Sequence, residues 1–294
     1  MEGKALDLAG RFLVDGAFLE RNLAAPNLRI YDCTTTLVPD PKTVYRVEPG
    51  RAAYQAVHIP GAGFIDLQGD LSDPHSKLRF TMPKPAAFAQ AAGRLGIGDD
   101  NAVVLYCGGA IWWATRVWWM LRAMGFDNAV VLDGGLGKWQ EDGRKLDAAP
   151  CRYAPGRFTA RPRPALFADK RDVEAALASG GACVINALSA KQHRGEPDAV
   201  HYGRPGHIAG SVNVPGLALV GKDQVFLPRD ALRQKLADKT RGASQRIVTY
   251  CGGGIAATAN AFALTMLGYN NVAVYDGSLS DWAADLAMPM QTGE

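Results

Sequence analysis

The stretch VLYCGGAIWWATRVWW, Val104–Trp119, is answered further along the chain by VTYCGGGIAATANAF, Val248–Phe262. Each carries an apolar run into Tyr-Cys-Gly-Gly and then into residues with helical spacing. The correspondence continues beyond the cysteines, because GFDNAVVLDGGLGKW from Gly125 is matched by GYNNVAVYDGSLSDW from Gly268. Asp133 and Asp276 occupy the same place in these two stretches, ahead of Trp139 and Trp282. Upstream, HIPGAGFIDL from His58 pairs with HIAGSVNVPG from His207, and NLRIYDC and GACVINA precede those histidines. Matched landmarks in one order identify a tandem duplication.

Within each copy, short β-rich runs alternate with helical patterns. ACVINA, RIVTY and VAVYD read as buried strands, and DKRDVEAALA, PRDALRQKLA and AATANAFALTML as helices. This alternation predicts an α/β fold in which each copy is a mainly parallel sheet flanked by helices. Between the copies, APCRYAPGRFTARPRPALF is rich in proline and arginine and has no periodicity, which reads as an extended linker. The expected division is 1–148, a linker over 149–165, and 166–294.

With 294 residues the chain can bury two cores, and its 48% hydrophobic and 21% charged residues match a globular protein. A net charge of +3 without a basic cluster gives no footprint for nucleic acid. No apolar run is long enough to cross a bilayer, and the N-terminal stretch lacks the pattern of a secretory signal. The five cysteines (Cys33, Cys107, Cys151, Cys183, Cys251) are spread widely with no CxxC pair. Disulfides and a metal site are therefore not expected, and the cytoplasm is the expected compartment. The oligomeric state is open.

Cys251 and Cys107 both fall at the carboxyl end of a strand, where ligands of parallel sheets gather. After Cys251 come Gly252, Gly253 and Gly254, then Ile255 and Ala256, and then a helix. Consecutive glycines let backbone N–H groups turn toward one point, and such a nest at a helix start attracts anions. A sulfur at that point is favoured as thiolate and becomes a nucleophile, and the same donors suit an anionic persulfide. A Cys-based phosphatase would need an arginine six places after its nucleophile, where this chain has Ala257 and Trp113. A cysteine protease would need a histidine base; His193 and His207 are present, but no sequence pattern ties them to Cys251. A packing cysteine in a glycine turn is the alternative to all of these.

On HIPGAGFIDLQGDLSD, RVWWMLRAMGFDNAVVLDGGLGKW, GRPGHIAGSVNVPG and YCGGGIAATANAFALTMLGYNNVAVYDGSLSDW, the chain resembles the two-domain rhodanese-type sulfurtransferases, which use thiosulfate or 3-mercaptopyruvate. The resemblance covers nearly all of both halves. It implies a ping-pong reaction in which Cys251 takes sulfur from a small anionic donor and passes it to a thiophilic acceptor, cyanide or a thiol. No cofactor or metal is implied. The loop Cys251–Ala256 would supply the donor-binding amides. The alternative within the same resemblance is a non-catalytic binding or regulatory module.

Relatives usually keep the nucleophile in the second domain and often have aspartate in the first; here the first has Cys107, a candidate second site. Its loop to Ala114 and Thr115 is one residue longer than the loop from Cys251 to Ala257 and Thr258. Trp112 and Trp113 are expected to cover Cys251 or to pack between the domains, and Trp118 and Trp119 to pack there. Relatives that prefer thiosulfate have basic residues after the cysteine, and those that prefer mercaptopyruvate have Gly-Ser-Gly-Val-Thr. The uncharged loop here leans toward mercaptopyruvate. Asn186 and Leu188 stand where relatives have Asp-x-Arg, which leaves Arg194 and Arg204 as the expected clamp for a carboxylate or sulfonate. His58 and His207, present in both copies, are expected to make structural hydrogen bonds, and Asp133 and Asp276 to cap the following turns.

Overall fold

AVVLY at Ala102–Tyr106 and IVTY at Ile247–Tyr250 are buried throughout, which is what a central parallel strand covered on both faces requires. The computed structural model describes residues 4–40, 44–179, 182–240 and 246–294. The first unit runs β1 (Leu13–Val14), α1 (Gly16–Asn22), β2 (Leu28–Asp32), β3 (Thr35–Asp40), β4 (Val44–Pro49), α2 (Arg51–Ala56), β5 (Ala62–Phe64), α3 (Leu67–Asp70), α4 (Pro85–Leu95), β6 (Ala102–Tyr106), α5 (Trp112–Ala123), β7 (Ala129–Leu132) and α6 (Gly135–Glu141). The second runs β8 (Phe167–Ala168), α7 (Lys170–Ser179), β9 (Ala182–Asn186), α8 (Ala190–Arg194), β10 (His207–Ile208), β11 (Val212–Asn213), α9 (Arg229–Thr240), β12 (Arg246–Tyr250), α10 (Ala257–Met266), β13 (Val272–Tyr275), α11 (Ser278–Trp282) and β14 (Met290–Gln291).

The first sheet has the order β1-β7-β6-β2-β5, and the second β8-β13-β12-β9-β11. All pairs in both are parallel, so the two sheets are the same strand for strand. The α/β duplication expected from the sequence is thus the architecture. The first unit adds the antiparallel β3–β4 hairpin, and the second pairs β10 with β14. Between α6 and the 3-10 turn at Pro164–Leu166 the chain has neither helix nor named strand. It lies along the first unit, with Gly156 N–H donating to Gly93 O and Tyr153 Oη to Gly61 O.

α5 and α10, the helices that follow the two cysteine loops, pack against each other. Trp118 meets Phe262 edge-on at 4.7 Å between ring centres, and the Thr115 and Thr258 hydroxyls are 2.8 Å apart. Trp119 donates its indole N–H to Leu166 O. The repeat-related aspartates do not act as local caps alone: each reaches across the interface. Asp133 accepts from Phe226 N–H at 2.8 Å, and Asp276 from Met82 N–H at 2.7 Å. A carboxylate at a strand end finds amide donors in whichever loop lies over it, and here that loop belongs to the other unit.

The histidine landmarks are structural. His207 Nδ1 donates to His193 O at 2.7 Å, and the His193 and His207 rings stack at 3.6 Å. Asn186 Nδ2 lies 3.1 Å from His193 Nδ1, a contact in which the neutral amide donates and the imidazole nitrogen accepts. Burial, together with the neighbouring His207, Arg194 and Lys239, holds His193 down to about 4 from its ordinary 6.5. The unfolded chain therefore takes this proton first as pH falls. Stability present above pH 6.5 is expected to decline by about 3 kcal/mol by pH 4, and to decline less in His193→Gln. Urea unfolding across that range measures it; identical pH slopes in the two proteins would contradict the assignment.

Candidate active site

The loop after β12 is held from below. Cys251 N–H donates to Ser278 Oγ at 3.1 Å, Leu279 N–H to Cys251 O at 3.1 Å, and Ser280 gives both N–H and Oγ–H to Gly252 O at 2.9 and 2.8 Å. Ser278 has a positive φ of 49° and donates its own hydroxyl to Tyr275 O at 2.8 Å. At the other end Gly254 turns through φ +75°, and any Cβ there would stand 2.6 Å from Asp276 O. Its carbonyl accepts from Arg116 Nη1 at 3.2 Å. The carbonyls are thus drawn down into α11 and Arg116. Among the described residues, no protein group accepts from the amides of Gly252, Gly253, Gly254, Ile255 or Ala256. Donors without acceptors beside a thiol are what an anionic ligand of that thiol needs.

Arg116, fully buried on α5, crosses from the first unit to reach this loop. It donates to Gly254 O, to Phe80 O at 2.5 Å and to Asp276 Oδ1 at 2.7 Å, with its guanidinium over the Phe167 ring. The aligned position in the second copy is Ala259, so the first loop has no such support.

Cys107 shows what that difference does. Two of its loop amides are already used: Gly108 N–H donates to Thr34 Oγ1 at 2.7 Å and Ile111 N–H to Gln224 Oε1 at 3.2 Å. The Cys107 thiol turns into its own loop, toward Ala110 O at 3.2 Å. Burial, with the Asp32 charge adding to it, pushes this thiol up to about 12. Iodoacetamide at pH 8 is expected to leave Cys107 unlabelled in the folded protein and to label it after unfolding, as peptide mapping would show. Labelling of the folded form at the rate of a free thiol would contradict this.

Cys251, though buried, opens onto a cleft of about 650 Å³ that both units line. Trp112 and Trp113 form one wall, with Trp113 edge-on to Phe80 at 5.6 Å. Tyr202 lies across Gly252, and its hydroxyl meets that of Tyr45, on the β3–β4 hairpin, at 2.6 Å. Gly252, Gly253, Ile255 and Ala256 line the floor, while Gly254 lies beneath it.

Arg194 and Arg204 are not brought to the cleft. Ala187–Ala190, Gln192, Tyr202 and Gly203 of their segment line it, but the short α8 turns Arg194 outward to Glu196 and Glu294. Arg204 is occupied by the carbonyls of Ala283, Asp285 and Met288, closing the end of α11. The cations at the cleft are instead Lys77 and Arg79, both exposed and both from the first unit. Arg79 also donates to Tyr45 O. Sequence reasoning passed over them, although they follow directly on the motif HIPGAGFIDLQGDLSD.

Among the described residues, no cluster of His, Cys, Asp and Glu is placed to hold a metal ion, and no helix is long and apolar enough to cross a membrane. Residues 17–142 and 188–285 match the Rhodanese-like domain. A probable 3-mercaptopyruvate sulfurtransferase of Pseudomonas aeruginosa is 35% identical over 94% of this chain and 96% of its own length. The thiosulfate sulfurtransferase of Rattus norvegicus is 34% identical over 87% of this chain and 85% of its own. The crystal structure of SseA from Escherichia coli, a 3-mercaptopyruvate sulfotransferase, superposes with a TM-score of 0.79 at 31% identity, covering 91% of this chain and 98% of that one. With the same sheet built twice and sulfurtransferases at 30% identity or more over most of its length, the chain belongs to the rhodanese family and is a two-domain sulfurtransferase.

Proposed function

We propose that Cys251 carries the transferred sulfur as a persulfide, with 3-mercaptopyruvate preferred over thiosulfate as donor and cyanide or a thiol as acceptor. The observation that carries this reading is the set of amides from Gly252 to Ala256 left without protein acceptors around a cysteine that opens on a cleft. The Cys251 thiolate attacks the sulfur of 3-mercaptopyruvate. The carbon–sulfur bond breaks, its electron pair leaves on carbon, and the thiol proton ends on that carbon to give pyruvate. The terminal sulfur, now anionic, is held by the loop amides. Attack by cyanide on that sulfur returns the thiolate and releases thiocyanate.

Charge supports the order of donors. No cation stands in the loop or the adjoining wall, and the cations of the cleft are the exposed Lys77 and Arg79, a setting that favours a monoanion over a dianion. Cys107 is assigned no turnover, since its thiol turns to Ala110 O and two of its loop amides are taken by Thr34 and Gln224. The division of labour, a supporting unit ahead of 149–165 and a catalytic unit behind it, follows. None of the five cysteines stands in a disulfide, which suits a reducing compartment such as the cytoplasm.

Protein freed of excess 3-mercaptopyruvate should release about one equivalent of thiocyanate per chain when cyanide is added, and kcat/KM should favour that donor over thiosulfate. Absence of thiocyanate would overturn the persulfide reading, and equal kcat/KM values would overturn the donor order.

A further inference from the structure

Transfer of sulfur from 3-mercaptopyruvate leaves an electron pair on carbon, and that carbon must gain a proton before pyruvate departs. The cleft at Cys251 restricts where the proton can come from. Among the described residues, its lining contains no histidine, aspartate or glutamate. Besides Cys251, the lining groups that can ionise are Lys77, Arg79, Tyr45 and Tyr202. Lys77 is exposed and shares its protons with solvent; Arg79 is exposed too, and a guanidinium keeps its proton in proteins. Ser280 already gives its hydroxyl to Gly252 O, and Ser189 gives its own to Gln192 Oε1. The two tyrosines are placed differently. Both are half-buried, their hydroxyls stand 2.6 Å apart, and the Tyr202 ring lies over Gly252, the residue after the nucleophile.

From this arrangement we infer that Tyr202 is the general acid of the 3-mercaptopyruvate step and that Tyr45 positions it. The inference rests on the Cys251 persulfide reading with that donor and adds the source of the proton. The donor arrives as the thiol HS–CH₂–CO–COO⁻. The Cys251 thiolate attacks its sulfur, a sulfur–sulfur bond forms, the carbon–sulfur bond breaks, and the electron pair passes into the enolate of pyruvate. Tyr202 Oη–H gives its proton to the CH₂ carbon. The phenolate so formed accepts from Tyr45 Oη–H and then takes up the proton that entered on the donor's sulfur. Cys251 is left as the anionic persulfide, Tyr202 is neutral again, and no outside proton, oxidant or reductant is consumed. Burial, joined by the negative charge of Cys251, pushes both tyrosines up from their ordinary range, which keeps the acid protonated until the enolate forms. Tyr45 sits on β4 of the first unit, with its carbonyl held by Arg79, so that unit takes part in the chemistry of the second.

Thiosulfate supplies the control, because its sulfur–sulfur bond breaks with the electron pair on sulfite and no carbon is protonated. Loading of Cys251 is followed in single turnovers of the full chain by rapid quenching and intact mass, with each donor in turn. Unloading of the persulfide by cyanide, which also protonates no carbon, is followed separately as a second control. Tyr202→Phe keeps the ring over Gly252 and removes only the hydroxyl. It should lower the loading rate from 3-mercaptopyruvate by about 100-fold relative to both controls, the lower end of what a general acid contributes. Tyr45→Phe should lower the same ratios by about 10-fold, the effect of one hydrogen bond. Glycine at position 202 removes the acid as well as the ring, so its steric effect on the loop is read with thiosulfate. Equal losses in all the steps would give Tyr202 a structural role only, and an unchanged loading rate from 3-mercaptopyruvate would assign the proton to solvent. Either result would overturn this inference and leave the persulfide reading standing. Wild-type protein that takes no sulfur on Cys251 from 3-mercaptopyruvate would overturn both.

Discussion

Arg116→Met is expected to destabilise the protein by about 3–5 kcal/mol, the range found when one partner of a buried ion pair is removed. Methionine fills much of the same volume, so packing is not the main loss. What remains behind is the Asp276 carboxylate, facing the vacated site with Met82 N–H as its other donor, and the carbonyls of Gly254 and Phe80 with their donor gone. These groups join the two units and fix the far end of the Cys251 loop, so turnover should fall along with stability. Adding Asp276→Asn to Arg116→Met removes the stranded charge and should recover part of the stability. Urea titration of the two single variants and the double variant measures the coupling. A loss below about 1 kcal/mol in Arg116→Met would show that the pair contributes little here.

Gly252→Ala is expected to lower kcat/KM by about 100-fold or more, because displacements near 1 Å at a reacting centre have effects of that size. A Cβ at Gly252 would lie 1.9 Å from Cζ of Tyr202 and 2.2 and 2.4 Å from Cε1 and Cε2. The ring cannot simply step aside, since its hydroxyl is bonded to Tyr45 on the β3–β4 hairpin. The loop must move instead, and the amides around Cys251 move with it. Gly253→Ala offers the contrast: its nearest neighbours would be Phe80 and Ser280 at 3.9 and 4.0 Å, in ordinary contact. It should therefore have a much smaller effect, and combining Gly252→Ala with Tyr202→Gly should restore part of the loss. Equal activity in the Gly252→Ala and Gly253→Ala proteins would refute the steric account.

How far the molecule could be read from its residues follows a physical line. Local patterns carried the strands AVVLY and RIVTY, the helices after the two cysteine loops, and their duplication, because burial and periodicity are properties of a segment. The Gly-rich turn at Cys251 was legible for the same reason: positive φ at Gly254 is a local demand. What crosses the interface was not legible. Arg116, Lys77, Arg79 and Tyr45 lie in the first half and serve the second, and nothing in RVWW or SKLRF announces the partner. Likewise, only the fold shows that Thr34 and Gln224 take two of the amides of the Cys107 loop.

The expected arginine clamp shows the opposite error. Arg194 and Arg204 sit in the right segment, but nearness in sequence does not decide which side of a five-residue helix faces the site. Asp133 and Asp276 likewise occupy matched strand ends, yet their acceptors' partners are Phe226 and Met82 across the interface.

The transferred sulfur is expected to reside on Cys251. Intact mass measured after brief exposure to 3-mercaptopyruvate, followed by peptide mapping without reductant, locates it. One added sulfur on Cys251, present in Cys107→Ser and missing in Cys251→Ser, is the predicted result; sulfur on Cys107, or none on either cysteine, would contradict it.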